Sequence, residues 1–168
     1  ACNGLVGSDG VTGFCTACQH NRTVPDPTNQ EYLQLWKRLE YAKHALFYAI
    51  LRFGLPLQGR ADAARNGLAF DFLADPPVAD APRVITGYDN GLITIALVEA
   101  DDAQREARRT AMRETYRTLL GHVRHEVGHH YWVSLVRAAG HPESFRTVFG
   151  DWRPDYNIAL QHYYSNPT

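Results

Sequence analysis

His125-Glu126-Val127-Gly128-His129 reads H-E-x-x-H and lies within a proline-free segment running from about Ala103 to Ala139. Residues four apart on a helix share a face, so the two imidazoles can bind one metal ion together. Glu126 falls about 100° further round, placed to touch a metal-held water rather than the metal. That is the geometry of a zinc-dependent hydrolase, with Glu126 as the catalytic base. A chance match on a His-rich helix is the plain alternative, and the flanking pattern argues against it. Met112, Tyr116, Leu119, Leu120, Val123, Val127 and Tyr131 recur at helical spacing and define a core face. His122, His125, His129 and Val136 fall on another side. The spacing predicts one long central helix, with the motif histidines looking into a cleft. Gly128 is costly in such a helix, on the order of 1 kcal/mol relative to Ala, and reads as a point of close backbone approach.

The 168 residues suit one domain with a sizeable core, and 45% hydrophobic with 21% charged residues is ordinary for a globular chain. Net charge is −1. Arg105, Arg108, Arg109 and Arg113 cluster, but Glu106 and Glu114 are interleaved, so the run reads as a solvated helix face and no nucleic-acid partner is expected. No apolar stretch approaches the roughly 20 residues that span a bilayer, and the N-terminus lacks the pattern of a secretion signal. A cytoplasmic protein is expected, although a chain whose signal had been removed would read the same.

Cys15-Thr16-Ala17-Cys18 is a C-x-x-C knuckle, preceded by Cys2-Asn3-Gly4. Thiolates in such a turn can hold zinc, and a structural site wants four ligands. Cys2, Cys15 and Cys18 would supply three, with His20 or a residue upstream of Ala1 as the fourth. A disulfide or a redox pair competes. The odd cysteine count, the expected cytoplasmic setting and the lack of a nearby βαβ pattern favour half a zinc ribbon. Thr23-Val24-Pro25-Asp26-Pro27 then reads as a linker, dividing a zinc-ribbon segment at 1–24 from the main domain at 25–168.

Thr28 and Glu31 have the spacing of a capping box, and Tyr32, Leu35, Trp36, Leu39, Ala42, Leu46, Phe47, Ile50 and Leu51 follow at helical period. This helix should end near Gly54 and Pro56, with its aromatic stripe in the core. Leu68 to Leu73 reads as a short strand stopped by Asp75-Pro76-Pro77. Arg83 to Val98 carries the strongest β signal, a hairpin turning around Asp89-Asn90-Gly91. An edge strand beside the metal helix can bind an extended peptide through main-chain hydrogen bonds.

A wider set of motifs accompanies these elements: Cys15-x-x-Cys18 with Asn21-Arg22-Thr23-Val24-Pro25-Asp26, Leu68-Ala69-Phe70-Asp71-Phe72-Leu73, Thr86-Gly87-Tyr88-Asp89-Asn90-Gly91-Leu92-Ile93-Thr94, Glu99-Ala100-Asp101-Asp102, Tyr116-Arg117-Thr118-Leu119-Leu120-Gly121-His122 onward to Trp132, Phe149-Gly150-Asp151 and Asp155-Tyr156. Together they resemble the bacterial zinc-binding metallopeptidases that carry an N-terminal zinc ribbon. The resemblance implies an α+β, mainly helical fold of the zincin, gluzincin-like kind. It further implies catalytic zinc on His125 and His129, Glu126 as general base, and a peptide or protein substrate. It also implies longer relatives, with cysteine knuckles before the position of Ala1 and an acidic, tryptophan-rich segment beyond Thr168 that carries a glutamate as third ligand. The chain is therefore expected to be a fragment of a longer member.

A catalytic zinc generally needs three protein ligands plus water. Within the chain the substitutes are His141, Asp151, Asp155 and His162. Asp151 and Asp155 read better as caps of a last helix, His141 precedes Pro142 at a helix break, and His162 sits among Tyr156, Tyr163 and Tyr164. Tyr131, His122, Tyr156 and His130 are the residue types available to hold an oxyanion. Two other readings stand beside peptide hydrolysis. One is a non-catalytic zinc-binding interaction or sensing module; the other is an amide or ester hydrolase using the same zinc chemistry.

Overall fold

Asn29 caps the first long helix, α1 (Gln30–Arg52), its side chain accepting from Tyr32 N at 3.1 Å. The expected Thr28–Glu31 box does not form. Thr28 instead donates its amide and hydroxyl to Asp26 Oδ1 at 2.9 and 2.7 Å, a local turn that starts the helix one residue later. The helix stops as expected at Gly54, whose φ of 62° continues no helix. Leu39, Ala42, Leu46, Phe47 and Ile50 are buried, so this face is core, while Leu51 at the end of the stripe stays 56% exposed.

The computed structural model describes residues 13–59, 67–78, 80–111 and 117–165. Strands β1 (Asn21–Thr23), β2 (Ala69–Leu73), β3 (Gly87–Asp89) and β4 (Leu92–Ala96) form a four-stranded sheet in the order β1-β2-β4-β3. β1 runs parallel to β2, and β2 parallel to β4 from Ala69↔Leu92 to Leu73↔Ala96. Ala69, Phe70, Asp71 and Phe72 are all buried, as befits an interior parallel strand covered on both faces. β3 and β4 make the expected hairpin, with φ 45° at Asn90 and 91° at Gly91, the paired positive angles of a two-residue turn. The hairpin is shorter than its β signal. Val84 N donates to Asp75 Oδ1 at 2.8 Å instead of entering the sheet, and Leu97–Ala100 winds into a 3-10 turn.

The predicted long helix from 103 to 139 is not continuous. Helix α2 (Asp102–Ala111) and helix α3 (Leu119–Tyr131) are separate elements, and Met112 and Tyr116 lie outside the described residues. Thr118 caps α3, its Oγ1 accepting from Gly121 N at 3.0 Å. Beyond Tyr131 the chain widens into a π turn, Trp132–Arg137, and Gly140 at φ 76° ends the run. Hydrophobic period alone cannot register a cap whose side chain is also acceptable inside a helix.

The chain divides into two compact units, Ala1–His130 and Tyr131–Thr168. The first holds the sheet, α1, α2 and nearly all of α3. In the second, α4 (Pro142–Phe149) and α5 (Tyr156–Ser165) follow the π turn, and Trp132 meets Phe145 and Trp152 edge-on at 6.3 and 5.1 Å. The architecture is thus α+β and mostly helical, as expected. No helix among the described residues is long and apolar enough to cross a membrane.

Candidate metal centre

The pitch of α3 sorts the H-E-x-x-H motif onto two faces. Val123, Glu126, Val127 and His130 are buried, whereas His125 and His129 are exposed. The two Nε2 atoms lie 3.2 Å apart. Two imidazole nitrogens on one tetrahedral zinc stand about 3.4 Å apart, from bond lengths near 2.0–2.1 Å. The pair therefore matches one edge of such a site. Gly128 does not do what its position suggested: it is exposed, and a Cβ built on it meets nothing within 4 Å. It lies on the outward face beside His125, and among the described residues no neighbouring backbone requires it there.

Glu126, 6% exposed, has Oε1 3.9 Å from His122 Nε2. His122 belongs to a charged group that sequence reasoning missed. Its Nδ1 lies 3.2 Å from Glu99 Oε2, and Arg117 Nη2 donates to its Nε2 at 3.2 Å. Glu99 is only 1% exposed, and both Arg108 and Arg117 pair with it. Burial alone would push the Glu99 carboxyl up, but the His122 hydrogen bond and the nearby His122, Arg117 and Arg108 charges hold it at about 2. Arg105 donates to the Glu99 carbonyl at 3.0 Å. The basic run on α2 is thus only partly a solvated face. Arg109 pairs with Glu106 at 2.7 Å on the surface, while Arg105 and Arg108 brace Glu99. The available signal was an acidic residue ending an apolar strand.

Tyr88 was also missed. It sits on β3, at one edge of the sheet, and its ring stacks on His129 at 6.0 Å and meets His130 edge-on at 6.3 Å. Among the expected oxyanion groups, His130 is held below its usual range by burial and, to a lesser extent, by the His20 charge, both of which favour the neutral ring. Burial raises Tyr131 to about 12, which keeps its phenol protonated. The side chain of Tyr156 lies outside the described residues.

The in-chain substitutes for a third ligand belong to the second unit. Asp155 caps α5 as expected, with Oδ1 accepting from Ile158 N at 3.3 Å. Asp151 is not a helix cap, because α5 starts only at Tyr156. It holds Arg153 Nε and Nη2, both at 2.8 Å, and these bonds keep its carboxyl at about 2. His141 stands at the N-cap of α4 without a side-chain cap bond, and His162 lies exposed on α5.

A second donor group lies at the C-x-x-C turn. Cys15, Cys18 and His44 offer ligand atoms that are all within 4.8 Å of one another. Cys2 falls outside the described residues. His20 is not the residue beside the thiols: it is buried, with Nδ1 2.8 Å from the Leu68 carbonyl oxygen and its ring 5.0 Å from Phe47. That place is taken by His44, on α1, whose Nε2 lies 3.6 Å from Cys18 Sγ across 26 residues of chain. No local motif marks it.

These two donor groups suit a zinc protein, and comparison with known proteins gives the class. A family described as "putative zinc-binding metallo-peptidase" matches residues 32–168, and the chain belongs to it. An uncharacterized protein of Mycobacterium bovis and uncharacterized proteins of two Mycobacterium tuberculosis strains are each 40% identical over 164 residues. These alignments cover 97% of this chain and 47% of each relative, so the chain spans about half the length of the curated relatives it matches. No solved structure matches it.

Proposed function

We propose that the chain carries the metal helix and substrate edge of a zinc-dependent peptidase with a zincin-like, gluzincin-like core at 25–168, following a partial zinc ribbon at 1–24. The 3.2 Å approach of His125 and His129 Nε2 on one exposed helix face carries this reading. When bound there, zinc would polarise the scissile carbonyl and bring the pKa of its water to about 7. Glu126 accepts the proton of the attacking water and passes it to the leaving amine. The Glu99–His122 pair stands behind Glu126, and Tyr88 steadies the His129 ring. β3 offers an extended peptide a sheet edge beside the histidines, the mode in which main-chain bonds give affinity. The family resemblance implies a glutamate as third ligand, and the reading is of a bacterial cytoplasmic protein acting on peptides, with neither nucleic-acid nor membrane partners.

The test is Glu126→Gln, assayed on a fluorogenic mixed-peptide library in this chain and in one extended to the length of its relatives. Zinc content should persist, and hydrolysis should fall roughly 10²–10⁴-fold. Retained turnover in the variant would refute the role of Glu126. Zinc closed by four protein ligands, with no turnover by the extended protein, would instead establish the non-catalytic module.

A further inference from the structure

We propose that Cys15, Cys18 and His44 form a structural zinc site, separate from the His125–His129 pair, that ties the C-x-x-C turn to α1. The 3.6 Å from Cys18 Sγ to His44 Nε2 is the edge expected of a zinc tetrahedron, about 3.5 Å for one thiolate and one imidazole. Cys15 completes a triangle in which every ligand atom lies within 4.8 Å of the others. The turn is held against α1 before any metal arrives. Gln19 N donates to the Cys15 carbonyl at 3.1 Å, and Asn21 Nδ2 donates to Glu40 Oε1 at 2.8 Å. Lys43 Nζ reaches the same Glu40 oxygen at 2.9 Å. The other oxygen, Glu40 Oε2, is buried, accepts no hydrogen bond among the described residues, and lies 3.4 Å from His44 Nε2. Two sulfurs and an imidazole nitrogen thus converge on a spot whose chemistry suits a thiophilic divalent cation, with the Glu40 carboxylate beside the imidazole. Thiolate–imidazole sets suit zinc, and a site at an element junction stabilises the fold rather than the reaction.

The experiment uses the whole chain loaded with zinc or cobalt(II). Zinc should remain in the His125→Ala/His129→Ala double variant, so this site survives even if the peptidase reading fails. X-ray absorption of that variant should show both sulfur and imidazole nitrogen around the metal, and the cobalt form should show a thiolate charge-transfer band. His44→Ala should weaken zinc about tenfold or more in chelator competition, since even outer-shell partners of a metal are worth about 10–100-fold. His44→Cys should restore binding with one added sulfur, which guards against a misfolded alanine variant. A sulfur-only shell, unchanged affinity in His44→Ala, or a Cys15–Cys18 disulfide in place of metal would overturn the proposal.

Discussion

Glu99 shows how one buried charge can organise its surroundings. Its carboxylate faces His122, Arg108 and Arg117, and an ion left in such a place without its partners is expensive. Glu99→Gln should lower stability by about 3 kcal/mol at pH 7, read by urea unfolding, because it leaves buried positive charge uncompensated. The pH dependence has a definite sign. The carboxyl sits at about 2 in the folded chain against an ordinary 4.5, so its contribution is complete above about pH 4.5 and fades as pH falls towards 2. The wild type should lose stability across that window, and Glu99→Gln should be flatter through it; parallel slopes would count against this account. The sequence displayed Glu99 as an acid after an apolar strand and as part of a motif, but not its partners, which come from α2, from α3 and from the segment just before α3.

For the elements, α3 and the hairpin make opposite demands on glycine. Gly128 lies mid-helix with open space where a Cβ would stand, so Gly128→Ala should raise stability by roughly 0.5–1 kcal/mol, measured as a higher melting midpoint. A loss would mean that the close approach read from the sequence exists after all. Gly91 has φ 91°, where a side chain is strained, and Gly91→Val should cost about 1–2 kcal/mol and loosen β3. Faster amide exchange at Tyr88 would report that loosening. The hairpin was legible because its turn chemistry is local. The long helix was misread because Thr118 and the π turn after Tyr131 interrupt a hydrophobic pattern that continues past both.

At the level of the whole molecule, metal and folding should be coupled. Chelation should lower the melting temperature, because metal that binds only the folded chain adds its binding free energy to stability. If the cysteine site is the structural one, most of that drop should persist in the His125→Ala/His129→Ala variant and shrink in Cys15→Ser/Cys18→Ser. The opposite pattern would place the stabilising metal at the H-E-x-x-H helix. The sequence by itself determined what acts over a few residues: the histidine pair one turn apart, the Asn-Gly turn, the amphipathic face of α1, the cap at Asp155, and the motifs by which the family is recognised. Only the tertiary structure decided which distant groups meet. It ran β2 parallel to β4, set His44 beside Cys18 across 26 residues, and drew Arg108, Arg117 and His122 around Glu99. Local steric and periodic rules extend one helical turn or one hairpin along the chain, whereas these contacts depend on where the chain folds back upon itself.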